Sequence, residues 1–147
     1  MSQTPSAEQS VETLKTYIRA WASNDKALLL SIFADDCVLE DPVGTPAFAG
    51  HAGLSRFWDF AHQGDDRQLT PVLEEIRANG DQAIMRFTMQ VRAPAINAGI
   101  DLSIIEHIQF APDGRIAHLR AFWNEANVGK PDGMDFLVPD IEQAYQD

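Results

Sequence analysis

The sequence predicts an α+β domain in which three N-terminal helices pack on a curved, mostly antiparallel sheet and enclose a pocket. Two observations carry this. Before residue 64, apolar residues recur at helical spacing in three separate segments. After residue 69 they alternate along a run of strands with turn residues between them. A third observation concerns what the pocket does: one acid, Glu106, stands in the middle of an otherwise apolar strand face.

The first helix is expected over about residues 6–22. Ser6 and Gln9 have capping-box spacing, and Val11, Leu14, Ile18 and Trp21 form one stripe. Tyr17 lies beside that stripe, so its ring is buried and its hydroxyl needs a partner. Ser23-Asn24-Asp25 break the helix and cap a second one, about 26–34, that carries Leu28, Leu29, Ile32 and Phe33. Asp35 and Asp36 are expected to end it, with Cys37 buried as a small apolar residue. A short strand then runs into Glu40-Asp41-Pro42-Val43-Gly44. Proline lacks an amide hydrogen and pushes the residue before it to an extended conformation, so pairing should stop at Asp41. A third helix, about 51–63, carries Leu54, Phe57, Trp58 and Ala61 and stops at Gly64.

Strands are expected at about 69–78, 83–91, 102–110 and 115–125, with Asn79-Gly80 as a hairpin turn and Ala111-Pro112-Asp113-Gly114 as a second turn. Residues 93–99 read as a loop. In the last strand Ala117, Leu119, Ala121 and Trp123 share one face, and Ile116, His118, Arg120 and Phe122 the other. Residues 1–128 form one domain. Residues 129–147 are an acidic extension in which Phe136-Leu137-Val138 and Ile141 are the segments able to pack.

The totals narrow the function. The chain has 147 residues, 45% of them apolar, enough for a single core. Its net charge of −11 argues against nucleic acid and anionic membrane surfaces, which need basic patches. One cysteine leaves no internal disulfide, and four scattered histidines suggest no metal site. No glycine-rich phosphate loop indicates a nucleotide, so no cofactor is expected. The N-terminus lacks a signal-peptide pattern and no apolar run is long enough to span a bilayer, so a cytoplasmic location is expected.

Glu106 carries the chemistry. A carboxylate buried among Ile104 and Ile108 is costly unless it is paired or protonated. The inward strand positions supply no lysine or arginine, which favours protonation. A one-residue slip of register would instead place it in solvent. A neutral acid and the Tyr17 hydroxyl are both donors, and two converging donors make an oxyanion hole. With Asp41 as base, the three describe proton abstraction next to a carbonyl. Trp123, Trp58 and Phe87 are candidate substrate-binding residues in an apolar pocket. His107 and His118 lie on the opposite strand faces and are expected at the surface or a dimer interface.

On these residues the chain resembles the ketosteroid isomerases of the nuclear-transport-factor-2-like (cystatin-like α+β) superfamily over roughly residues 8–128. Tyr17-Ile18, Phe33-Ala34-Asp35-Asp36, Glu40 to Gly44, the strand with Glu106, Phe110 with Asp113 to Ile116, and Ala121 to Asn127 carry the resemblance. It implies a cone of sheet over three helices, often homodimeric through the outer sheet face. It implies that Asp41 shuttles a proton between two carbons of a 3-oxo-Δ5 steroid to give the conjugated Δ4 isomer, while Tyr17 and Glu106 hold the oxygen, by that family's own acid–base pattern. Two positions depart from the family: Glu106 replaces an aspartic acid, and Trp58 stands where one branch has a tyrosine. A polyketide cyclase of the same superfamily and a non-catalytic small-molecule-binding domain are the other functions considered.

Overall fold

A computed structural model describes residues 4–64 and 66–138. Helix α1 (Ala7–Ala22) begins at Ser6, whose side chain accepts from the Gln9 amide while Gln9 bonds back to the Ser6 amide. Leu14, Tyr17 and Trp21 make its buried face. Helix α2 (Lys26–Ser31) is capped by Asp25. It stops three residues earlier than its apolar pattern suggests, because Phe33 belongs to strand β1 (Phe33–Glu40). Asp35 and Asp36 are therefore exposed residues of β1 and not a helix end. The short β2 (Phe48–Ala49) leads into α3 (Gly50–Ala61).

Four long strands follow: β3 (Gln68–Asn79), β4 (Gln82–Ala93), β5 (Ala98–Phe110) and β6 (Ile116–Phe122). The sheet order is β2-β1-β6-β5-β4-β3. Neighbours are antiparallel along this path except β1 and β6, which are parallel. The 93–99 loop is shorter than expected: β4 runs to Ala93, Pro94–Ile96 form one 3-10 turn, and β5 begins at Ala98. Pairing of β4 with β5 from Gln82–Gln109 to Ala93–Ala98 explains this, since a continuous ladder outweighs local turn signals.

The last strand also differs from simple alternation. Phe110 pairs with Ile116 while Gln109 pairs with His118, so Ala117 is an extra residue in the ladder. Such a bulge turns Ile116 inward, where it is fully buried, and leaves Leu119 and Ala121 in phase with the core. Beyond β6 the chain returns along β5. Strand β7 (Val128–Gly129) pairs antiparallel with β5, and β8 (Asp135–Phe136) pairs parallel with its start. Leu137 packs against the core, Val138 is exposed, and Ile141 lies outside the described residues.

The core lies between the helices and the inner sheet face. Leu14, Leu29, Phe33, Leu54, Phe87, Ile108 and Leu119 are among its buried residues. Gly53 of α3 sits where a Cβ would come within 2.9 Å of the Phe48 backbone. Helix propensity favours alanine there by about 1 kcal/mol, but backbone cannot move aside as a flexible side chain can. Gly53→Ala is expected to destabilise the fold, by roughly 1–3 kcal/mol. A lowered thermal midpoint would show it; a raised one would mean α3 shifts freely on β2.

Candidate active site

A cavity of about 200 Å³ opens between the helices and the inner sheet face. Tyr17 reaches it from α1, Asp41 from the end of β1, Phe87 from β4, Glu106 from β5, and Trp123 from just beyond β6. Each is placed by local rules. Tyr17 is one turn from Leu14 and Trp21 on the buried helix face. Asp41 follows the last residue of β1 and precedes Pro42 through a cis peptide bond. Glu106 pairs with Met85 in the middle of the β4–β5 ladder, and both side chains are fully buried.

The three polar groups converge. The Tyr17 hydroxyl donates to Glu106 Oε2 at 3.5 Å. Glu106 Oε1 is buried with no hydrogen-bond partner among the described residues. Burial first, and the nearby Asp41 charge second, hold the Glu106 carboxyl well above the usual carboxylate range, while the Tyr17 hydrogen bond opposes them. Burial and the two neighbouring carboxyls likewise push the Tyr17 phenol up. The nearby Trp21 indole pulls it the other way; its Nε1 has no partner within hydrogen-bond distance among the described residues. Asp41 is buried and accepts a 2.7 Å hydrogen bond from Trp123 Nε1. Burial raises Asp41 to about 6, against the downward pull of the indole N–H. The cavity thus brings together two groups whose protonated forms burial favours and a carboxyl raised to about 6.

Trp58, a candidate binding residue, stands apart from the other five. It is stacked behind Trp21 with ring centroids 4.4 Å apart and does not line the cavity. His62 caps the same stack and bonds the Trp58 carbonyl, while His51 bonds the Phe33 carbonyl. His107 meets Gln82 and His118 meets Glu40 on the outer side of the sheet. Among the described residues no three His, Cys, Asp or Glu side chains cluster as a metal site would require. No helix among them is long and apolar enough to cross a membrane.

Two polar residues of the cavity have no counterpart among the sequence candidates: Gln63, just past α3, and Arg67, just before β3. Arg67 was legible in principle. It stands two residues before the cavity-lining Leu69, and strand periodicity puts both on one face.

A cone-like α+β fold closed around an apolar, acid-bearing cavity defines the class as nuclear-transport-factor-2-like. Comparison with known proteins narrows it. A family model described as a SnoaL-like domain matches residues 14–119. A steroid Delta-isomerase of Nocardioides simplex is 31% identical over 107 residues, covering 73% of this chain and 83% of that protein. Two solved structures share the fold: the epoxide hydrolase/cyclase-like enzyme SalBIII, which acts in pyran ring formation in the polyether salinomycin (TM-score 0.76, 17% identity, 84% of this chain and 97% of that one), and RV0760c from Mycobacterium tuberculosis (TM-score 0.75, 19% identity, 88% and 100%). The chain belongs to the SnoaL-like, ketosteroid-isomerase-like family.

The raised Asp41 has a consequence for stability. Its charged form is disfavoured in the folded chain, so its contribution is best at low pH and is lost as pH rises from its ordinary 3.8 through about 6. Asp41→Asn removes that charge and keeps an acceptor for Trp123. It should stabilise the fold by up to about 3 kcal/mol near pH 8 and by little near pH 4. Urea unfolding at the two pH values measures this, and an equal gain at both would show that Asp41 is not raised.

Proposed function

We propose that the chain is a cofactor-independent isomerase that moves a carbon–carbon double bond into conjugation with a ketone, with Δ5-3-ketosteroids as the substrate class. The observation that carries this is the convergence of Tyr17, Glu106 and Asp41 in one apolar cavity. The similarity to the Nocardioides steroid Delta-isomerase supports the steroid class. A buried carboxylic acid and a phenol, both un-ionised at neutral pH, have protons to give to one oxygen.

The steps follow from the geometry. The substrate carbonyl oxygen lies against Tyr17 and Glu106. The Asp41 carboxylate takes a proton from the carbon between the carbonyl and the double bond. The electrons of that C–H bond form a new double bond, the existing double bond becomes part of a dienolate, and negative charge gathers on oxygen. The two donors stabilise it there, in a cavity with little water to compete. Protonated Asp41 then gives its proton to the far carbon, which yields the conjugated ketone and restores the carboxylate. A base near 6 is ionised at neutral pH yet basic enough to accept a carbon-bound proton. Trp123 holds Asp41 through Oδ1, leaving Oδ2 for the substrate.

A cyclase is the second reading. Its support is the similarity in fold to SalBIII together with the polar Gln63 and Arg67 in the cavity, which an enzyme closing a ring on a polyoxygenated chain would use. The same base would take a C–H proton to begin an aldol carbon–carbon closure, or a hydroxyl proton to begin a carbon–oxygen closure such as a pyran ring needs, instead of returning its proton to the far carbon.

Mixing the protein with a Δ5-3-ketosteroid and following the ultraviolet absorption of the conjugated enone tests the assignment. Asp41→Asn is expected to lose roughly 10,000-fold in kcat, with the steroid still bound. Tyr17→Phe should lose roughly 100-fold. Wild-type kcat/KM should fall on the acid side with an apparent pKa of about 6. Steroid binding without turnover would overturn the isomerase in favour of the cyclase or a binding domain.

A further inference from the structure

Among the described residues Arg67 is the one charged cavity group that the isomerase chemistry leaves unused and that lacks a partner. It lines the same cavity as Tyr17, Asp41 and Glu106. Its Nε is buried and has no hydrogen-bond partner among the described residues. No ion pair involves it among them. The neighbouring Asp66 does not serve it, because that carboxylate accepts the Ala95 amide. In a chain of net charge −11, a guanidinium without a carboxylate is conspicuous. A buried donor left unmade is costly, and a ligand acceptor would relieve that cost.

Its place in the cavity fixes which end of a ligand it meets. Glu106 pairs with Met85, and Leu69 pairs with Val91, six residues further along β4. That is roughly 20 Å of strand contour. Arg67 precedes Leu69, so it belongs to the end remote from the oxyanion donors. Between the two ends the walls are apolar: Phe87, Met89, Val91, Ile100, Leu102 and Ile104. A ligand that satisfies the whole cavity therefore has a ketone at one end, an apolar body, and a hydrogen-bond acceptor at the other. A fused four-ring nucleus with its ketone at Glu106 would span only part of that contour, and a side chain on its far ring would extend toward Arg67. The planar guanidinium matches a carboxylate in both charge and geometry.

Building on the isomerase assignment above, we propose that the substrate is a ketosteroid whose side chain ends in a carboxylate, and that Arg67 binds that carboxylate. The site is a specificity determinant and takes no part in proton transfer. It also accounts for an arginine in a cavity otherwise built for an apolar body.

Two measurements separate this proposal from the isomerase assignment. In the first, the conjugated steroid acid and its methyl ester, neither of which can be turned over, are titrated into the wild type, Arg67→Ala and Arg67→Lys. The acid should bind the wild type at least about tenfold more tightly than the ester, more so at low salt. Arg67→Ala should bring the acid-to-ester ratio to about one, and Arg67→Lys should restore part of it. In the second, the unconjugated Δ5 acid and ester are compared as substrates, and the preference should lie in KM with kcat alike for both. Acid preference in binding without turnover of either compound would sustain Arg67 and overturn the isomerase. Turnover of both with no acid preference, or a preference that survives in Arg67→Ala, would overturn the Arg67 proposal and leave the isomerase standing.

Discussion

Burying the carboxyl of Glu106 is the constraint on which the site depends. It sits at the middle of the longest strand, fully enclosed, opposite Met85 and among isoleucines. Burial takes the group from water, and no cation pairs with it among the described residues, so its neutral form is favoured. That single condition sets the role of its neighbours. Tyr17 is bonded to it and is itself kept un-ionised. Asp41, sharing the cavity, adds its own charge to the pressure on both while burial lifts it toward neutrality. Burial raises all three ionisable groups of this apolar space, while the Tyr17 and Trp123 hydrogen bonds pull Glu106 and Asp41 the other way.

Such an arrangement works against the fold that holds it. Every one of these groups would be better solvated in the unfolded chain. The surrounding packing supplies the compensation: the helix faces of Leu14 and Leu54, the stacked Trp21 and Trp58, and the inner sheet face from Ala83 to Val91. Rigidity of this shell matters as much as its area. In the mechanism proposed above, Tyr17 and Glu106 would be sensitive to small displacements, since donors must meet the oxygen where charge develops. Trp58 contributes there from behind, by fixing Trp21 and not by touching a ligand.

Most of the fold could be read from apolar spacing alone. Tyr17 and Glu106 were placed by periodicity, and Asp41 by the proline after it. What escaped was set by partners distant in sequence. The end of α2 depends on Phe33 joining Ile116 in the sheet, a contact that no local pattern encodes. The inward turn of Ile116 depends on a bulge that simple alternation does not foresee. The extension of β5 back to Ala98 depends on its ladder with β4 and on β8 along its start. Arg67 escaped because it lies just outside a strand boundary, where a charged residue reads as solvated loop. Trp58 failed as a cavity residue because helical spacing gives a buried face but not which part of that face meets a void.

The hydrogen bonds of the site also fix when it can exist. Asp41 and Trp123 are 82 residues apart, and Tyr17 and Glu106 are 89 apart. A chain emerging from the ribosome at about 5–20 residues per second carries Asp41 and Tyr17 for several seconds before their partners Trp123 and Glu106 are made. Helix α1 packs on β3 and β4 and α3 on β1 and β2, but the sheet that closes the cavity is complete only when β5 and β6 have followed, and pairing at such separations is slow. During that interval the cavity lacks the wall that β5 supplies. The architecture that brings both ends of the sequence to one cavity makes the newborn chain a candidate for chaperone protection, and makes its active site among the last features to form.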